Sequence, residues 1–138
     1  MFMKQNIYPM NKVLLLCFMF VATVFSATAQ EKKCADFKTG KFVIKDNKNG
    51  TSYITRTDKY QIESLGDKKT EIKFNVNWIN DCTYELTPAD KKAIKTLKIK
   101  PDDKLTVEIV STSEYGYTIK VTSNYFKDVF TTVVERVL

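Results

Sequence analysis

The stretch Glu71-Ile72-Lys73-Phe74-Asn75-Val76-Asn77-Trp78 alternates apolar and polar residues without a break. A period of two puts Ile72, Phe74, Val76 and Trp78 on one face of a β-strand and leaves the other face to water. Shorter segments of the same kind are Lys41–Lys45, Ser52–Thr57, Tyr60–Leu65, Thr83–Leu86, Leu105–Ser111, Tyr117–Tyr125 and Phe130–Val137, all rich in Thr, Val, Ile, Tyr and Phe. Their separators are short and polar. Asp46-Asn47-Lys48-Asn49-Gly50, Gly66-Asp67-Lys68-Lys69 and Ser113-Glu114-Tyr115-Gly116 read as hairpin turns between sequence neighbours. Lys48 occupies a would-be ligand position, so Asp46 to Gly50 is a turn and not a calcium loop.

One helix is predicted between the fifth and sixth strands. Thr87 caps it, Pro88 takes the first helical position and Asp90 complements the dipole. Ala93, Ile94 and Leu97 share a side, and the helix is expected to stop near Lys95, with Leu97 to Lys100 alternating as a short strand. Its lysines read as a solvated face, the alternative being a basic docking patch for an anionic partner or membrane surface. Seven to nine short strands joined by hairpins make an all-β antiparallel up-and-down meander. Such a sheet removes its edges by closing into a small barrel.

Outside this pattern, the first thirty residues form a separate element. Lys4 and Lys12 precede an apolar run from Val13 to Phe25, followed by Ala27-Thr28-Ala29. A positive n-region, an apolar h-region and an A-x-A site make a signal peptide over 1–29, with the mature chain expected from Gln30. The run is well short of the roughly 20 residues of a stable span. Met10-Asn11-Lys12 would be a more ordinary start for such a segment. Periplasmic or secreted localisation follows, with a single domain over 30–138 and no stable membrane span after cleavage. Cys17 follows Leu14-Leu15-Leu16 and lacks the small residue that a lipidation site places before its cysteine.

The full chain carries 22 Lys and Arg against 16 Asp and Glu; without Lys4 and Lys12 the balance is about +4. Acids and bases interleave, which argues for a solvated surface and against a nucleic-acid footprint. Cys34 and Cys82 remain as an even pair in an oxidising compartment, and a disulfide is expected. Their separation is unlike C-x-x-C, and a tetrahedral metal site would need two more ligands. The chain has no histidine. That removes Ser-His-Asp and Cys-His nucleophilic sites, imidazole metal sites and a histidine switch. No G-x-S-x-G, phosphate-binding loop or dinucleotide fingerprint is present, so no catalytic residue, metal or cofactor is assigned.

Gly40-Lys41-Phe42 opens the first strand and Arg136 lies on the last. This pairing resembles the calycin superfamily, which includes the lipocalins and fatty-acid-binding proteins. There a Gly-x-Trp sets an aromatic ring at the closed end of the barrel, and a basic residue from the last strand packs over it. Phe42 stands here in place of the tryptophan. The resemblance implies a lipocalin-like barrel in which Gly40, Phe42 and Arg136 close one end. The stretches Cys34 to Phe42, Ile54 to Arg56, Gln61 to Glu63 and Trp78 to Leu86 look like a group of small exported β-proteins of Gram-negative bacteria. Some of those carry a DNA topoisomerase subunit label, for which an exported domain of this size has no room. That likeness supports the fold and the Cys34–Cys82 pair and brings no activity with it.

Arg56 and Glu63 fall on adjacent strands. Pointing inward they would anchor a ligand in the lumen, lined by Tyr53, Tyr84, Tyr117 and Tyr125. Pointing outward they would pair across strands, which the competition of Ile54 and Ile62 for the inner face favours. The ligand-binding candidates are Arg56, Glu63, Tyr84 and Tyr117; Trp78 reads as core. The leading functional expectation is a non-enzymatic envelope protein holding a small apolar ligand. The alternatives are a filled barrel acting through its surface as an inhibitor or assembly partner and, last, a carboxylate-based hydrolase.

Overall fold

The structure, a computed structural model, describes residues 31–138 except 47, 49 and 67–69. The expected signal peptide over 1–29, with Cys17, lies outside the described residues. Eight strands follow one another around a closed antiparallel barrel. They are β1 (Gly40–Asp46), β2 (Gly50–Arg56), β3 (Tyr60–Ser64), β4 (Glu71–Asn80), β5 (Thr83–Pro88), β6 (Leu105–Thr112), β7 (Gly116–Ser123) and β8 (Phe130–Arg136). Alternation sets the inner face throughout. Phe42, Ile54, Ile72, Phe74, Leu86 and Ile109 are among the side chains buried in one core, and an eight-stranded barrel is just wide enough for side chains to fill.

Every ladder joins sequence neighbours except the one that closes the ring. β1 meets β8 through two residue pairs, Phe42↔Arg136 and Val43↔Glu135. The flanking ladders β1–β2 and β7–β8 run over seven and six pairs. The four connections β1–β2, β3–β4, β5–β6 and β7–β8 lie at one end, called here the open end. A 3₁₀ turn over Cys34–Phe37 lies under the other, the closed end. It is fastened by the Cys34–Cys82 disulfide, Sγ–Sγ 2.04 Å.

The helix differs from its expected start and stop. α1 spans Lys91–Leu97, and its N-cap is Asp90, whose Oδ1 accepts from the Ala93 amide at 2.8 Å. Thr87 and Pro88 instead finish β5, where Pro88 pairs with Phe74. Proline is tolerated there because the next amide, that of Ala89, donates to the Lys73 carbonyl at 3.0 Å, and pairing with β6 already ends at Leu86, so no ladder acceptor waits for an amide at position 88. Lys98 takes the left-handed conformation as C-cap, so Leu97 to Lys100 ends the helix and makes no strand. β7 stops at Ser123, which leaves Tyr125 in the β7–β8 connection.

Gly40 explains the Gly-x-aromatic opening. Its φ is +136°, a region other residues rarely adopt, and a Cβ there would meet the Phe42 ring at 3.3 Å. The glycine thus lets the ring fold back onto the strand's own first residue.

Candidate functional site: a sealed floor and an open rim

The closed end is built around one buried cation. Arg56 and Ile54 sit two apart on β2 and therefore face the same way, inward, where Arg56 is 2% exposed. Its Nε donates to Gln61 Oε1 at 2.8 Å and its Nη1 to the Phe37 carbonyl at 2.9 Å. Its Nη2 donates to the Tyr84 hydroxyl at 2.8 Å and the Tyr117 hydroxyl at 3.0 Å. The guanidinium carbon stands 4.5 Å from the Tyr84 ring centre and 5.1 Å from that of Phe42. Four of the five N–H groups of an arginine are thereby used, all on groups of this chain. Among the described residues no buried side-chain nitrogen or oxygen is left without a partner.

The expected outward Arg56–Glu63 pair is therefore corrected. Arg56 lies opposite Gln61, and Glu63 lies opposite Ile54. Ile62 faces out because the inner face of β3 is taken by Gln61, which the cation needs as an acceptor, and by Glu63. Of the four tyrosines expected in the lumen, Tyr84 and Tyr117 are there, each 2% exposed. Tyr53 is on the outer face at 58% exposure, and Tyr125 is on the rim. Burial pushes the hydroxyl pKa of both inner tyrosines above the ordinary value, against the opposing pull of Arg56, so both stay neutral.

Phe42 and Arg136 are cross-strand neighbours, yet the cation–aromatic contacts are exchanged. Arg136 lies over Phe37, 4.4 Å from the ring centre, and its Nη2 donates to the Asp36 carbonyl at 2.6 Å. Phe42 receives Arg56 instead and meets the edge of Tyr117 at 5.5 Å. The 3₁₀ turn, which the period-two reading did not show, supplies both Phe37 and the carbonyls. Its signal was the apolar Phe37 placed three residues after Cys34. Trp78, half-buried, packs on Tyr84 in a tilted contact, with ring centres 4.6 Å apart and the planes at 44°.

Glu63 stands further up the lumen, beside Gln61. Burial raises its carboxyl pKa from the ordinary 4.5, more strongly than the hydrogen bond from Gln61 and the charge of Arg56 lower it. The folded chain therefore binds this proton more tightly than the unfolded chain does. The contribution of Glu63 is fully favourable below pH 4.5 and is lost as pH rises through the raised folded value. The substitution Glu63→Gln is expected to make the protein more stable than wild type at pH 7, with the difference vanishing at acid pH. Urea unfolding of both proteins at pH 4 and pH 7 measures it.

The open end contrasts with this floor. Above Val43↔Glu135 the ladder between β1 and β8 ends, and the Lys45 Nζ–Glu135 Oε2 ion pair at 2.8 Å reaches across the gap. A cleft of about 490 Å³ lies between the two strands, lined by Ile44, Lys45, Asp46, Phe130, Thr131 and Thr132. Residues of both parities line it, Ile44, Phe130 and Thr132 with inner parity and Lys45 and Thr131 with outer. Phe130 has inner-face parity but is 54% exposed. A second cleft of about 570 Å³ follows the β7–β8 connection from Thr122 to Asp128. Phe126 separates the two, its ring centre 5.3 Å from that of Phe130. Volumes of roughly 300–1,000 Å³ are those of small-molecule sites. Neither cleft was legible as a site, because Phe130 and Thr132 read as ordinary strand residues.

Among the described residues, no group of three Cys, Asp or Glu side chains converges to hold a metal, and no helix is long and apolar enough to cross a membrane. No protein-family model, curated protein or solved structure matches the chain.

Proposed function

We propose that this is an exported, non-enzymatic binding protein of the cell envelope, taking a small apolar or amphipathic molecule at the open end of its barrel. The observation that carries this reading is the cleft where the β1–β8 ladder ends, beside Phe130, an inner-face aromatic that the barrel leaves half uncovered. The floor cannot serve as the anchor without breaking bonds: Arg56, Tyr84 and Tyr117 are committed to one another. The signal-peptide pattern and the disulfide support export. In a calycin-like reading Phe37, not Phe42, is the ring that Arg136 covers at the closed end.

Native mass spectrometry of the protein purified from its own envelope tests the reading. A co-purifying small molecule is expected, lost in Thr132→Trp, which fills the cleft, and reduced in Phe130→Ala. A wild-type protein with no bound molecule, or one whose load ignores both substitutions, overturns it. The densely filled core favours one second reading, a barrel that acts through its surface as an inhibitor or assembly partner, and an empty wild-type protein leaves that reading standing.

A further inference from the structure

The β7–β8 connection and the first residue of β8 expose apolar side chains together. Tyr125 is 39% exposed, Val129 55% and Phe130 54%. These side chains do not collapse onto the barrel. Tyr125 meets Phe126 edge-on at 5.0 Å, and Phe126 meets Phe130 in the same manner, so the aromatic group is preorganised while facing water. Contiguous exposed apolar groups of this kind mark surfaces that something covers.

What lies beside them indicates the partner. Asn124 fastens this connection to the one that follows α1. Its Oδ1 accepts from the Lys104 amide at 2.9 Å, and its Nδ2 donates to Asp103 Oδ1 at 3.4 Å. The connection so joined, residues 89–104, carries six lysines against three aspartates. Two of those aspartates are turned to the backbone: Asp90 caps α1, and Asp103 accepts from the Lys100 amide at 2.8 Å. Lys91, Lys92 and Lys95 project from α1 into solvent. Among the described residues none of them, nor Lys127 on the aromatic connection, makes an ion pair.

We infer that the open end docks on an anionic lipid bilayer. Tyr125, Val129 and Phe130 enter the headgroup boundary, backed by the partly buried Phe126, and the α1 lysines and Lys127 lie over the phosphates. Aromatic and aliphatic side chains beside lysines are the chemistry of interfacial anchoring, in which apolar burial and attraction to anionic headgroups add. An acidic protein with an apolar patch is the competing occupant, and vesicle co-sedimentation separates the two. The docking does not depend on a ligand in the clefts.

Co-sedimentation of the mature chain with vesicles tests the inference. Binding is expected on phosphatidylglycerol-containing vesicles at low salt, at least about tenfold stronger than on phosphatidylcholine alone, since each basic residue near such a surface adds attraction. The variant Lys91→Glu/Lys92→Glu/Lys95→Glu should weaken binding about tenfold or more, and Val129→Asp/Phe130→Ser should do the same by a separate route. Both alter exposed positions, and an unchanged thermal transition confirms their folding. Absence of vesicle binding, equal binding on the neutral lipid, or binding that survives either variant overturns the inference. Retention of an acidic envelope protein without vesicle binding overturns it in favour of protein docking.

Discussion

Replacing Cys34 and Cys82 together by alanine is expected to lower unfolding free energy by about 4 kcal/mol. The bond closes a loop with a sequence separation of 48, and the chain-entropy relation for a loop of that size gives roughly this value. A domain of this size has a total stability of only about 5–15 kcal/mol. The loss therefore threatens folding outright at growth temperature. The bond also holds the 3₁₀ turn whose Phe37 and Asp36 carbonyls receive the two arginines, so its removal loosens the floor. Urea denaturation of the double variant and of the reduced wild type should agree within about 1 kcal/mol. A loss below about 1 kcal/mol would show that the turn is held without the bond.

Arg56→Leu is the second large effect, expected at about 3–4 kcal/mol. Removing a buried charge recovers its desolvation cost, which works in favour of the variant. Against that stand Gln61 Oε1, the Phe37 carbonyl and two tyrosine hydroxyls, which lose their donor in a place water does not reach. Each unsatisfied group costs about 1–3 kcal/mol, so the losses outweigh the gain. Arg56→Lys should recover only part of the loss, because one ammonium cannot reach four acceptors in different directions. Full recovery by lysine would mean that charge alone matters. Since Arg56 and the disulfide hold the same turn, combining the two changes should cost less than their sum.

Much of the barrel was legible in the sequence because its strands are half-buried. Ile72 to Trp78 states its own inner face, and Asp46 to Gly50 its own turn. The polar floor was harder to read, and the reason is physical. Period-two reasoning assigns apolar residues inward, so it discounts Arg56, Gln61 and Glu63, which are inside because they satisfy one another. Only the shared parity of Ile54 and Arg56 pointed the right way. Thr87-Pro88 was misread because capping chemistry is local, whereas the ladder to Phe74 that claims Pro88 is not. The Cys34–Cys82 pair was recoverable from residue count and compartment; the turn it pins was not, since four residues are too few to show a period.

The short β1–β8 join has a consequence for the order in which the molecule assembles. Seven of the ladders close hairpins or a helix-bearing connection and need only local chain. The eighth brings Phe42 to Arg136, from the first strand to the last, and its formation costs the loop entropy of the whole run of strands between them. Contacts so distant in sequence slow folding and form late. The seam is thus expected to be the last step of folding. The two residue pairs that complete the cylinder are the ones whose formation waits on all the rest.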